Sequence, residues 1–376
     1  MSDLPATNLV MLTLIKPEGE LEVFFERRPM PQPQPHEVLV KILATPINPS
    51  DLGLLFGAAD MTTARASTRD GLPVITADVP PPGMRAMAGR LGEALPIGNE
   101  SCGLVVQAGD SPEAQALLGK TVALLGGEMY AEYRCLPVQM AMPLPEGTDP
   151  VDGASCFVNP LTSLAFTETM RMEGHSAIVH TAAASNLGQM LVRICAKDGI
   201  PLVNIVRSEA QAALLKGIGA QHVLNSGDAD FRDRLTDALT ETGATIGFDA
   251  IGGGKLAGQI LAAMEAAAVK RMASYSRYGS DTFKQVYIYG GLDMGPTILT
   301  RSFGFSWALS GFLLTPFMQK AGAEVVARMR QRVVDELTTT FKSHYSHEIS
   351  LTDALNLDIA HAYNAKRTGE KYLIRP

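Results

Sequence analysis

The sequence predicts an α/β protein in which a doubly wound parallel sheet is joined to a second, mainly β region. Three observations carry that prediction. The first 150 or so residues hold β-rich runs broken by proline and glycine, strands and helices alternate regularly from about residue 151, and Ser176–Ser208 reads as strand, tight turn, helix and strand. At 376 residues the chain is long enough for two domains with cores of their own.

In the first region, VMLTLIK (9–15) and VLVKILA (38–44) are strands, with the proline-rich PMPQPQPH between them as an exposed connector. TPINPSD (45–51) is a turn whose Asn48 and Ser50 either reach a ligand or form an Asx-turn or helix cap. Residues 58–95 lose their periodicity and read as an inserted loop over a substrate entrance. GNESCGLVVQAG (98–109) gives a turn and a strand, and 120–125 and 130–136 supply two more. Gly119-Lys120-Thr121 lacks the upstream glycine of a phosphate loop.

After the hinge MPLPEGTDP, residues 151–172 are helical and lead into the strand–helix–strand unit. Further helices are expected at 211–217, 231–239 and 255–267, and strands at 222–224, 246–250, 286–289 and 302–309. A long amphipathic helix at 317–341, then EISLTDAL, a second helix and KYLIRP, close the chain against the first domain. The expected division is 1–150 with 315–376 as one domain and 151–314 as the other.

The unit at 176–208 matters chemically because a helix N-terminus at the carboxyl end of a strand offers N–H donors and a positive dipole to a dinucleotide pyrophosphate. Aligning G-x-G-x-x-G to residues 183–188 keeps only Gly188, the glycine needed for close helix–strand packing. Ser185 and Asn186 supply side-chain donors in place of the missing glycines. At the tip of the second strand stands Arg207, where an acid would select NAD; a guanidinium pairs with a 2′-phosphate and favours NADPH.

Composition narrows the remaining classes. A hydrophobic fraction of 46%, a charged fraction of 19% and a net charge of −7 describe a globular chain and argue against a nucleic-acid binder. Cys102, Cys135, Cys156 and Cys195 have no zinc-ribbon spacing, and no basic segment followed by an apolar core opens the chain, so a reducing cytoplasm is expected. The uncharged stretch 302–318 falls short of the roughly 20 apolar residues a spanning helix needs, so no membrane is expected. His344 and His347 lack the spacing of a helical zinc pair.

In this order and spacing, INPSD (47–51), GNESCG (98–103), FVNPLTSL (157–164), HTAAASNLG (180–188), NIVRS (204–208), LKGIGAQHVLN (215–225), FDAIGG (248–253), YGG (289–291) and KYLI (371–374) carry a resemblance over nearly the whole chain. The sequence is similar to the medium-chain dehydrogenases/reductases, in the zinc-free branch of quinone oxidoreductases and mitochondrial-type 2-enoyl reductases. The resemblance implies a Rossmann cofactor domain and a GroES-like substrate domain. It also implies an NADPH cleft between them lined by Asn48, Thr162, Ala184, Ser185, Asn186, Leu187, Arg207, Gly290, Phe303, Gly304, Phe305 and Lys371. Where zinc-dependent relatives carry a Cys and a His, this chain has Asn48 and Asn99, so no metal is expected.

Enoyl reductases of that branch carry a proton-donating tyrosine shortly after INPSD, where this chain has Phe56-Gly57-Ala58-Ala59. Tyr130 is the nearest substitute by motif position, although a tyrosine in a half-buried strand is more often packing. The expected activity is hydride transfer from NADPH to a small-molecule electron acceptor, a quinone or an α,β-unsaturated carbonyl. The alternatives are a 2-enoyl thioester reductase and a non-catalytic NADPH-binding sensor or structural protein. The apolar run 302–317 would be an aggregation hazard if its edge were open, and with the resemblance it implies a homodimer.

Overall fold

The computed structural model describes residues 4–376. They form two compact units, residues 4–158 with Leu337–Pro376, and Asn159–Glu336. These divide later than the expected 150/151 and 314/315.

The first run of the first unit holds β1 (Thr7–Ile15), β2 (Glu20–Pro29), β3 (Glu37–Pro46), α1 (Pro49–Leu55), β4 (Asp60–Arg69), β5 (Leu72–Asp78), α2 (Pro81–Ala86), β6 (Ala94–Pro96), β7 (Glu100–Ala108), α3 (Pro112–Gln115), β8 (Thr121–Leu125), β9 (Tyr133–Pro137), β10 (Ala141–Pro143) and α4 (Pro150–Gly153). The order β4-β5-β2-β1-β6 makes one sheet. Met11, Ile15, Leu21, Val23 and Ile75 alternate along its strands into a core shared with Leu52, Leu55 and Phe56.

The stretch expected as a loop at 58–95 is instead a hairpin followed by a short helix. Asp70 and Gly71, at φ 52° and 78°, turn β4 into β5 as the two left-handed residues of a tight Asp-Gly turn. Its strands were hidden because β4 is mostly exposed and reads DMTTARASTR, with little apolar alternation. Cross-strand charge holds it, with Arg65 on Asp78 at 2.9 Å and Arg69 on Glu22 of β2 at 2.5 Å.

The second unit begins in α5 (Val158–Met172) and continues through β11 (Ile178–His180), α6 (Asn186–Asp198), β12 (Leu202–Val206), α7 (Glu209–Gly217), β13 (His222–Asn225), α8 (Phe231–Thr242), β14 (Ile246–Asp249), β15 (Gly252–Gly254), α9 (Leu256–Val269), β16 (Lys284–Ile288), β17 (Asp293–Thr297), β18 (Trp307–Gly311), α10 (Leu314–Ala321) and α11 (Ala323–Asp335). Its parallel sheet runs β13-β12-β11-β14-β16-β18, which in chain order is 3-2-1-4-5-6.

Period-2 alternation serves both faces of that sheet. Val179, Val203 and Leu224 pack with α8 and α9, while their neighbours Ile178, Leu202 and Val223 pack with α5, α6 and α7. The fold class is therefore α/β, with a doubly wound parallel sheet and a separate β-rich unit. The last strand starts at Trp307 rather than 302, and the long helix expected at 317–341 is two helices parted at Gly322, whose φ of 85° stops α10.

The chain then returns to the first unit with β19 (His347–Ser350), α12 (Leu357–Asn364) and β20 (Tyr372–Arg375). Strand β20 pairs with the end of β3, Leu373 opposite Pro46. Among the described residues no helix is long and apolar enough to cross a membrane, and all four cysteines are free.

One ion pair lies inside the second unit. Lys284 of β16, fully buried, reaches Glu265 of α9 at 2.5 Å, and Glu265 also accepts from the Ser280 backbone and hydroxyl at 2.7 and 2.6 Å. Burial alone would raise the Glu265 carboxyl, but Lys284 and Ser280 reverse this and hold it below the usual range. Lys284→Met would leave that carboxylate without its counter-ion, and we expect a loss of about 3–5 kcal/mol, read from the denaturation midpoint of this unit. Because the carboxyl's pKa falls on folding, the wild-type advantage should be full above pH ~4.5 and fade as pH drops further. A midpoint unchanged at neutral pH would show that the pair contributes nothing.

Candidate functional site

In the second unit the order in which strands are added reverses between the parallel neighbours β11 and β14, and their carboxyl ends form the place where such folds hold a ligand. Ser185 caps α6 there, its hydroxyl accepting from Gly188 N at 3.1 Å. Gly188 is required by packing, since a Cβ at this position would lie 2.1 Å from the Ala183 carbonyl oxygen. Ala184 and Leu187 are buried on either side of the cap, while Ser185 and Asn186 are half-buried. Thr162, on the second turn of α5, is half-buried as well.

Two residues at this switch point escaped the sequence reading. Thr181, just after β11, donates its hydroxyl to Asp249 at the end of β14 at 2.6 Å and accepts from Ala250 N at 2.8 Å. The buried Asp249 carboxylate also takes Ile251 N and Gly252 N, at 3.0 and 3.1 Å, so it braces the turn after β14 rather than facing solvent. That turn closes on Gly290, where a Cβ would sit 2.7 Å from the Ala250 carbonyl oxygen. A lone Thr and a strand-end Asp 68 residues apart give no sequence signal that they meet.

Beneath the switch point, His180 of β11 bonds Tyr289 through Nε2 at 2.8 Å inside a cluster with Phe166. Burial pushes the imidazole down to about 3, so it is neutral at physiological pH. Arg207, immediately after β12, is exposed; its backbone N–H is held by Gln211 at 3.0 Å, and its side chain makes no ion pair among the described residues.

The stretch Phe303–Phe305 splits into different roles. Phe303 is wholly buried and packs edge-on against Trp307, which removes it from any surface a cofactor could touch. Gly304 lies against Glu265, and Phe305 is 83% exposed. The sequence treated the three as one strand end, but strand β18 begins only at Trp307.

The first unit holds a buried polar cluster. Asn48 at the start of α1 gives its backbone N–H to Asp51 Oδ2 at 2.8 Å and its side-chain Nδ2 to Glu100 Oε1 at 2.8 Å. Asp51 also accepts Asn99 N at 2.9 Å, and Glu100 Oε2 accepts Phe157 N and Val158 N at 2.8 and 2.9 Å. Asn99 turns its side chain to Ser50 Oγ at 3.0 Å. Lys371 Nζ bonds Ser155 Oγ at 3.0 Å, and that hydroxyl meets Tyr345 at 2.7 Å.

Burial raises the Asp51 carboxyl to about 7 and raises that of Glu100, with Lys371 opposing the latter. It lowers the Lys371 ammonium to about 8 while the two carboxylates pull the other way. Asp51 and Glu100 were missed as site residues. Asp51 stands three residues after Asn48, the spacing of a helix cap, and Glu100 follows a turn, so each carried only a local signal.

Tyr130 is buried beside Asp51, and its hydroxyl donates to the Pro46 carbonyl at 3.2 Å. Burial, with Asp51 next to it, holds the phenol well above its usual range. At the place of the expected proton-donating tyrosine, Phe56 is buried and stacked on Tyr363 at 5.9 Å. Among the described residues no three His, Cys, Asp or Glu side chains are grouped as metal ligands.

No family model matches the chain. Over 222 residues it is 28% identical to a provisionally named quinone oxidoreductase of Leishmania amazonensis, covering 58% of this chain and 63% of that protein. Over 296 residues it is 25% identical to the mitochondrial enoyl-[acyl-carrier-protein] reductase of Arabidopsis thaliana, covering 75% and 66%. The chain thus spans less than two thirds of the length of either curated relative. Among solved structures, a provisionally named NADPH:quinone reductase from Mesorhizobium loti superposes with a TM-score of 0.75 at 27% identity, over 100% of both chains. With the 3-2-1-4-5-6 sheet and the β-rich unit formed from both ends of the chain, these likenesses indicate the medium-chain dehydrogenase/reductase superfamily, in its quinone oxidoreductase and enoyl reductase branch.

Proposed function

We propose that the chain is an NADPH-dependent oxidoreductase that passes a hydride to a quinone or an α,β-unsaturated carbonyl, without a metal. The observation that carries the cofactor choice is Arg207, exposed at the end of β12 with no ion pair among the described residues, beyond a helix capped by Ser185. The first turn of α6 offers N–H groups and a positive dipole to a pyrophosphate, and Arg207 offers a bidentate guanidinium to a 2′-phosphate. When bound, NADPH supplies the hydride, and with it both electrons.

The residues around the acceptor chemistry favour a substrate that needs little protonation by the protein. Tyr130 is buried with its hydroxyl held between the Pro46 carbonyl and Asp51, and residues 56–59 bring no acidic side chain. A quinone that accepts hydride becomes a resonance-stabilised anion, which water can protonate. The places of the zinc ligands are held by Asn48 and Asn99, whose side-chain N–H groups already point at Glu100 and Ser50. A simple ketone would then lack the Lewis acid that stabilises its alkoxide, typically worth several kcal/mol. The second reading, an enoyl thioester reductase, is supported by the likeness to the Arabidopsis enoyl reductase and opposed by Phe56.

A homodimer completes the proposal. Strand β18 ends its sheet with one edge unpaired among the described residues, and Phe305 and Leu313 flank it, 83% and 67% exposed. The four free thiols fit a reducing cytoplasm.

Arg207→Ala should weaken NADPH binding by about 1.5–3 kcal/mol and leave NADH nearly unaffected, as read by titration with each cofactor. Equal weakening of both would make the residue structural. Stopped-flow oxidation of NADPH should be faster with ortho- and para-quinones than with simple ketones or enoyl thioesters, and should survive prolonged chelation. Faster turnover of an enoyl thioester than of every quinone would replace this reading by the second, with Tyr130 the first residue to mutate, and stoichiometric zinc in the active protein would reject the metal-free chemistry. Sedimentation at micromolar concentration should give a dimer; a monomer would refute the pairing of edges.

A further inference from the structure

Two buried polar atoms of the second unit stand on neighbouring strands with no hydrogen-bond partner among the described residues, His180 Nδ1 on β11 and Asn204 Oδ1 on β12. The two residues are 0% and 1% exposed. They are opposite each other in register, and each lies two positions beyond an apolar residue, Ile178 or Leu202, that packs with α5, α6 and α7, so both side chains share that face. Either atom alone would be costly, because a buried polar group without a partner loses its hydration and gains nothing in its place.

Chemistry fixes which atom of each group donates. The Asn204 amide meets the carbonyl oxygens of Leu202 and His222 at 3.4 and 3.2 Å; these only accept, so its nitrogen belongs there and Oδ1 is an acceptor without a donor. His180 is uncharged, since burial holds the imidazole low, and carries a single N–H. The Tyr289 hydroxyl has His180 Nε2 as its one partner among the described residues, at 2.8 Å, and burial holds that phenol well above its usual range. A proton on Nε2 would leave the phenol hydrogen unpaired, whereas a bare Nε2 accepts it. The imidazole proton therefore belongs on Nδ1. A bare donor on β11 then faces the strand that carries a bare acceptor.

We propose that one ordered water bridges His180 Nδ1–H to Asn204 Oδ1, completing a hydrogen-bond chain from Tyr289 through His180 and Asn204 to the His222 carbonyl. The two atoms make no direct hydrogen bond, and parallel neighbours stand about 4.8 Å apart, close to the span of two hydrogen bonds through one water. The chain joins the end of β16 to β11, β12 and β13. It lies directly beneath the switch point, since His180 precedes Thr181, which is bonded to Asp249, and Tyr289 precedes Gly290. The bridge is wholly within the second unit and does not depend on which ligand the switch point takes.

Nitrogen-15 spectra of the intact protein test this without any substitution. The His180 ring, assigned through its contacts with Phe166 and Tyr289, should show a protonated Nδ1, an unprotonated Nε2 and a cross-peak from the Nδ1 proton to slowly exchanging water. A proton on Nε2, or an Nδ1 proton with no water beside it, would overturn the proposal. Stability gives the second readout. Asn204→Leu removes the acceptor and should raise the unfolding equilibrium constant about five- to tenfold, the size of one hydrogen bond. In a His180→Phe background the same change should alter it by about twofold at most, because donor and acceptor are then both gone. Equal effects in the two backgrounds would show that the groups are not linked, which overturns the bridge. If His180→Phe does not fold, Asn204→Leu alone decides: the water cross-peak must disappear, and its persistence would reject Asn204 as the acceptor.

Discussion

The β-rich unit depends on a buried carboxylate. Glu100 stands at the first position of β7 and accepts three N–H groups, one from the start of α1 and two from the chain at 157–158 that leads into α5. No apolar contact could join those segments so specifically, because each brings a polar group that would otherwise be buried unpaired. Asp51 repeats the arrangement on the other side of Asn48 and ties α1 to the turn at Asn99. The two acids cost desolvation, visible in carboxyl groups pushed upward by burial, and the N–H donors and Lys371 offset it. What results is an asparagine held at both its backbone and its side chain, a rigidity that a binding group needs more than a packing group does.

The second unit solves a different problem with different means. Its short strands are buried on both faces, so the chain must provide apolar side chains at every strand position while still satisfying the polar ends of the strands at the switch point. Thr181 and Asp249 do the latter. A hydroxyl and a carboxylate close the ends of β11 and β14 with four hydrogen bonds. The carboxylate is consumed by this structural task, which leaves the helix N-terminus at Ser185 and the cation at Arg207 to meet a ligand without competition from Asp249. Electrostatics here agrees with the choice of a phosphate-rich cofactor bearing a 2′-phosphate.

Proton supply is where the chain departs from the enoyl reductases it resembles. A phenol is useful as an acid when its proton is free to move toward substrate, and Tyr130 has both its burial and its bond to Pro46 against that. Phe56, stacked on Tyr363, fills the earlier position with an apolar ring. The proposed acceptors, whose reduced form is stabilised by its own resonance, ask least of such residues.

Local pattern alone determined the parallel sheet, the helix that Ser185 caps and the place of Arg207, because a strand buried on both faces and a helix of period 3.6 leave their marks within some ten to fifteen residues. The absence of a glycine-rich turn did not hide them, since Gly188 is demanded by packing against Ala183 rather than by a ligand. The hairpin at 60–78 was legible only in its Asp-Gly turn; its strands carry threonine, serine and arginine on an exposed surface, so their pairing depends on partners in β2. The register of β18 and the break at Gly322 were settled by tertiary packing and backbone geometry, which relocated Phe303 to the core and left Phe305 outside. Only the three-dimensional structure brought Glu100 to Asn48 and Asp249 to Thr181, 52 and 68 residues apart. Hydrogen bonds between side chains so distant follow from how strands and turns are stacked, and nothing in the local sequence encodes which acid will meet which amide.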